Sequence, residues 1–108
     1  MEIKNLKEIE NWRQKDFWPS DFTSSQLQTA TFCLDYDGKV YKHKHKEEDN
    51  FWYIVSGEGT VVLCGNEIQV REGDSFMIPK GTVHEAKTNG TQRMKILQVE
   101  CIHAADDF

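Results

Sequence analysis

His43 and His45 lie in the triplet HKH, and His84 closes the segment PKGTVH about forty residues later. Residues at alternate positions of a β-strand project from the same face, roughly 7 Å apart along the chain. Two imidazoles so placed can converge on one ion at about 2.0–2.1 Å. A third histidine, reached through another strand and turn, can complete the set. The chemistry this predicts is a divalent metal site in the mouth of a small β-barrel. An isolated HxH says little, since two polar residues on a solvated strand are common. Three histidines brought to one pocket have no structural role to explain them.

The elements that must position these histidines are short strands separated by turns. Gln28 to Tyr36 is β-branched and aromatic, and Asp37-Gly38 marks a turn. Val40 to Lys46 is a strand, charged Glu47 to Asp49 a loop, and Phe51 to Val55 a strand ending at SGEG. Thr60 to Cys64 and Glu67 to Val70 flank a Gly65-Asn66 hairpin turn. Gly73-Asp74, Pro79-Lys80-Gly81 and Asn89-Gly90 are further turns, around strands at Ser75 to Ile78, His84 to Lys87 and Arg93 to Ile102. Strands this short and this regularly spaced predict an all-β barrel or sandwich.

Composition excludes several functions. The chain has 108 residues and reads as one domain, with residues 1–22 an N-terminal arm and 28–103 the barrel. A net charge of −5 with no basic face argues against nucleic acid. Cys33, Cys64 and Cys101 are odd in number and widely spaced, as for reduced thiols rather than a disulfide framework. The segment MEIKNLKEIENW has no apolar run resembling a signal peptide, and no stretch is long enough to span a membrane. The expectation is a cytoplasmic protein with no membrane or nucleic-acid partner.

Two motifs carry a family resemblance. Gly38, His43, His45 and Gly57 match a pattern of glycine, HxH, glutamate and glycine, with four residues between Gly38 and His43 where the pattern has five. Gly73, Pro79, Gly81 and His84 match a second pattern without a gap, and Asn89 falls one residue late for its asparagine. In these motifs, over about Gly38 to Asn89, the chain resembles the cupin superfamily. The resemblance implies a jelly-roll barrel, the double-stranded β-helix, holding one divalent metal ion (Fe, Mn, Ni or Zn) among inward side chains.

It also implies a departure. The family's glutamate ligand falls at Asn50, seven residues before Gly57. Three arrangements stand: Asn50 ligates through its amide oxygen, the loop carboxylate of Glu48 substitutes, or three histidines act with water. We favour three histidines with Asn50 as a weak ligand or a neighbour of the ligands. Neutral donors leave the ion's +2 charge uncompensated, so bound water or substrate is strongly polarised and an anionic oxygen is the natural counter-charge. Cupins that act on uronate sugars carry an amide at this position, whereas cupins that oxidise diketones or thiols use three histidines with iron. The resemblance therefore implies a metal-dependent enzyme acting on a small, oxygen-rich anion, by Lewis-acid isomerase or lyase chemistry. The alternatives are a three-histidine iron dioxygenase and a non-catalytic metabolite-binding cupin.

Parity supplies the rest of the expected pocket. Trp52 and Ile54 share the parity of Asn50 and are read as interior, with Trp52 able to wall a substrate. Tyr41 shares the parity of His43 and is a candidate proton donor. Cys33 is a candidate pocket residue or a buried inert thiol. On the last strand two readings remain: an apolar Leu97, Val99 and Cys101 face turned inward, or Met94 and Ile96 inward with Gln98 and Glu100 entering the mouth. In the second, Glu100 is a candidate general base. Aromatic Trp12, Phe17, Trp18 and Phe22, with outward Phe51, Tyr53 and Val55, are more apolar surface than a small monomer should expose. They predict a homodimer, or else an arm folded back over its own barrel.

Overall fold

Eight strands form from these alternating segments in the computed structural model, which describes residues 1–12, 19–43 and 48–101. They are β1 (Phe22–Thr23), β2 (Leu27–Leu34), β3 (Lys39–His43), β4 (Asn50–Leu63), β5 (Asn66–Arg71), β6 (Ser75–Ile78), β7 (His84–Lys87) and β8 (Met94–Cys101). His45, with its neighbours Lys44 and Lys46, lies outside the described residues, as do Phe17 and Trp18. All the pairings are antiparallel.

The largest departure from expectation is β4. The segment SGEG predicts a strand end, yet the strand runs unbroken from Asn50 to Leu63. Its first half pairs with β8 and β6, and its second half pairs with β7 and β5. One strand therefore serves both sheets of a jelly roll. The change of sheet is made by a register shift between Ile54 and Ser56, followed by Gly57 at φ +78°. A bulge bends and twists a strand without ending it. Glycine here is the residue of a bend inside a strand rather than of a loop.

The inner faces supply the core. Phe32, Trp52, Ile54, Ile78, Met94 and Ile96 are all fully or almost fully buried. β8 lies between β2 and β4, with Phe32 opposite Ile96 and Ile96 opposite Ile54. Of the two readings of β8, the structure has the second: Met94, Ile96 and Gln98 are buried, while Leu97 and Val99 are only half-buried.

The outer face of β2 and β8 is covered too. The apolar spacing of Ile3, Leu6, Ile9 and Trp12 yields only a 3-10 turn at Leu6–Glu8, capped by the Asn5 side chain. The segment instead lies against the sheet. The Asn11 amide donates to Thr31 O at 3.0 Å and accepts from Cys33 N at 3.1 Å. One side chain thus satisfies the β2 edge beyond the short β1. Lys95, also buried, donates to Lys7 O at 2.6 Å with its ammonium over the Trp12 ring. This part of the arm folds back on its own barrel.

The β2–β3 turn is tied to the end of β7 by Thr88. Its hydroxyl donates to Asp35 O at 2.5 Å and accepts from Gly38 N at 2.8 Å. Nearby, the Tyr36 N–H and the Arg93 guanidinium hold the Asp35 carboxyl below its usual range. Thr88→Val removes both hydroxyl bonds while Gly38 N still donates to Asp35 O at 2.8 Å, so the cost should be that of lost hydrogen bonds, about 0.5–1.5 kcal/mol. The urea midpoint should fall accordingly, and an unchanged midpoint would show that water replaces the hydroxyl.

Candidate functional site

His84 begins β7 just after a tight turn in which Thr82 N donates to Pro79 O at 3.1 Å. That turn brings the Thr82 carbonyl to 2.9 Å from His84 Nδ1. A carbonyl only accepts, so Nδ1 carries the proton and the neutral ring keeps its lone pair on Nε2. This is the arrangement by which metal-binding histidines are oriented and their basicity raised. The imidazole is 1% exposed and meets the Trp52 ring edge-on, with centroids 5.5 Å apart and planes at 86°.

Strand pairing sets two positions opposite His84. His43 is the Cα partner of His84 across β3 and β7, and Leu63 is its partner across β4 and β7. The side chains of Tyr41 and His43, and the whole of His45, lie outside the described residues. Asn50 is completely buried, and neither its amide oxygen nor its nitrogen meets a hydrogen-bond partner among the described residues. Trp52 follows on the same face, and its Nε1 donates to Gln98 Oε1 at 2.9 Å. That bond fixes the Gln98 amide with its oxygen toward Trp52, leaving the nitrogen as the end able to donate elsewhere. Glu100, half-buried, is the Cα partner of Asn50. Ile54 is deeper in the core and wholly enclosed.

Two sequence candidates stand apart. Cys33 is on the opposite face of β2 from Phe32 and Leu34, and its thiol donates to Ile9 O at 3.2 Å. Burial pushes this thiol's pKa up, so it stays protonated under the arm. It is the buried inert thiol, not a pocket residue. Glu48 is half-buried in the loop before β4. Next to it, the Asp49 carboxylate accepts from Lys80 N at 2.8 Å, pinning that loop to the turn before β7. Among the described residues no group of three or more histidine, cysteine, aspartate or glutamate side chains is gathered to hold an ion. The described groups on the inner face are the His84 imidazole, the Asn50 and Gln98 amides, and the half-buried Glu100 carboxyl opposite Asn50.

Sequence reasoning missed Thr82, whose contribution is a backbone carbonyl and so is invisible to residue type. Its signal was the tight PKGT turn, which constrains where that carbonyl points.

A buried amide with no partner is costly, about 1–3 kcal/mol. Asn50→Leu, similar in shape and apolar, should therefore raise the thermal midpoint while weakening the binding of metal and small anions. Calorimetry on both proteins checks the pair of effects. A higher midpoint with unchanged binding would make Asn50 a bystander.

Comparison with known proteins agrees with this architecture. A family model described as a cupin domain matches residues 30–100. A protein of Methanocaldococcus jannaschii is 28% identical over 79 residues, covering 73% of this chain and 63% of that protein. The oxalate-binding protein of Thermotoga maritima is 29% identical over 70 residues, covering 65% of this chain and 58% of that one. This chain's matches thus span about three fifths of the length of each of these two relatives. The crystal structure of TT1209 from Thermus thermophilus superposes with a TM-score of 0.83 at 22% identity, covering 94% of this chain and 97% of that one.

Proposed function

The chain belongs to the cupin domain family, and from that premise we propose that it is a metal-dependent enzyme acting on a small, oxygen-rich anion by Lewis-acid isomerase or lyase chemistry. The observation that carries this reading is His84, a buried imidazole whose Nδ1 is held by the Thr82 carbonyl and whose strand partner is His43. His84 with His43 and His45 would hold one divalent ion (Fe, Mn, Ni or Zn), with Asn50 as a weak ligand and Glu48 as its substitute. When bound, the ion supplies Lewis acidity, which neutral donors leave undiminished.

The chain's own residues would do the rest. Trp52 and Ile54 keep water from the inner side of the site, since both are fully enclosed. The Gln98 amide, fixed by Trp52, would orient a substrate oxygen by donating from its nitrogen. Glu100 would take a proton as general base, and Tyr41 would return one. The oxalate-binding relative supports a small carboxylate as the kind of molecule bound. We place the protein in the cytoplasm as a homodimer, with Phe22 and Tyr53, both exposed here, on the shared surface; Val55, expected to face outward with them, is instead buried next to the register shift in β4.

Metal analysis of the protein as purified, followed by a screen of small carboxylates and uronates with and without oxygen, tests the reading. Zinc, nickel or manganese with oxygen-independent turnover is expected. Iron with oxygen consumption would replace it by the three-histidine dioxygenase. Anion binding without turnover would leave a metabolite-binding cupin.

A further inference from the structure

Beside His84 the barrel encloses a second, chemically different space. A cavity of about 110 Å³ is lined by Val61, Leu63, Ile68, Val70 and Phe76, all apolar. Val61 and Val70 are buried and form its floor, while Ile68 is exposed at its rim. The cavity adjoins the candidate site, since two of its lining residues neighbour residues of that site. Leu63 is the strand partner of His84, and Phe76 packs on Trp52 with ring centroids 6.0 Å apart. Trp52 in turn meets the His84 ring. Neither Asn50 nor Gln98, the two buried amides of β4 and β8, lines this cavity.

A sugar carries hydroxyls on nearly every carbon. In this cavity they would lose water and find no partner among the five lining side chains, at a cost that grows with each hydroxyl. An alkyl branch meets only apolar surface. An apolar cavity of about 150 Å³ accepts benzene, so the space here suits a branch of about three or four carbons. We propose that the substrate is a short-chain oxo acid or related carboxylate whose oxygen-rich head faces His84 and whose alkyl tail fills this cavity. The proposal rests on the function proposed above and narrows its substrate class away from polyhydroxylated acids.

The test varies the tail and keeps the head. Calorimetric titration of metal-loaded protein with glyoxylate, pyruvate and the straight-chain 2-oxo acids up to oxohexanoate measures affinity against chain length. Each methylene buried in the cavity is expected to tighten binding about fourfold, until the space is full. Glucuronate should bind more weakly than the best oxo acid. Val61→Phe fills the floor and Leu63→Phe narrows the side toward His84. Either should flatten the chain-length series while pyruvate binding is kept, and the second variant covers a failure of the first to fold. A flat series in the unmodified protein, or an unaltered rise in both variants, with pyruvate still bound, would overturn the cavity assignment alone. Failure of the metal-loaded protein to bind any of these acids would overturn the functional reading, and this one with it.

Discussion

His84→Ala should lose metal affinity by at least about a hundredfold while keeping its secondary structure. Changing a group that merely orients a metal ligand costs about 10–100-fold in affinity, and removing the ligand itself must cost no less. The fold should survive, because the strands around His84 are held by their ladders to β3 and β4. The Thr82 carbonyl that anchors Nδ1 belongs to the backbone and stays in place. Metal titration with circular dichroism on the same samples reads both effects. Unchanged metal affinity in a folded variant would end the assignment of His84 as a ligand.

Gly57→Ala should be the most destabilising single methyl in the molecule. A Cβ at this position would lie 1.8 Å from the Arg93 carbonyl oxygen and 2.8 Å from its carbon. Both atoms are backbone at the start of β8, so no rotamer change relieves them. The residue also has φ +78°, which strains any L side chain. A loss of about 4 kcal/mol or more is expected, a large part of the total for a domain of this size. Gly73→Ala is the matched control, since Gly73 has φ +93° but no atom within 4 Å of the added carbon. It should lose only backbone strain, about 1–2 kcal/mol. Urea denaturation of both variants separates the clash from the strain. Equal midpoints would show that β8 can move aside at no cost.

These two positions also show what could be read from sequence. The strands and most turns were legible because alternation of apolar residues and glycine punctuation are local signals. The course of β4 was not. SGEG looks like a turn to any local rule, and only the approach of Arg93, far along the chain, makes Gly57 a bend within a strand. The face of β8 was undecided for the same reason. Both of its faces carry apolar residues, because the N-terminal segment buries the outer one as the barrel buries the inner. Cys33 was misplaced into the pocket among the alternatives by that same double burial. In the second motif, Thr88 stands where the family has asparagine. Its hydroxyl bonds to the Gly38 N–H and the Asp35 carbonyl, so a side chain of a different type ties this turn.

The position of β8 between β2 and β4 has a consequence for how the chain is made. On the ribosome β2 and β4 emerge well before the strand that joins them, and until then each presents an open edge on that side. Open edges invite pairing with other chains, and a barrel closed by its last strand cannot be protected in stages. Folding should therefore proceed in one cooperative step after synthesis of β8, slowly, as for other folds dominated by distant pairings. A nascent chain halted before Met94 would be expected to aggregate rather than to wait half-folded.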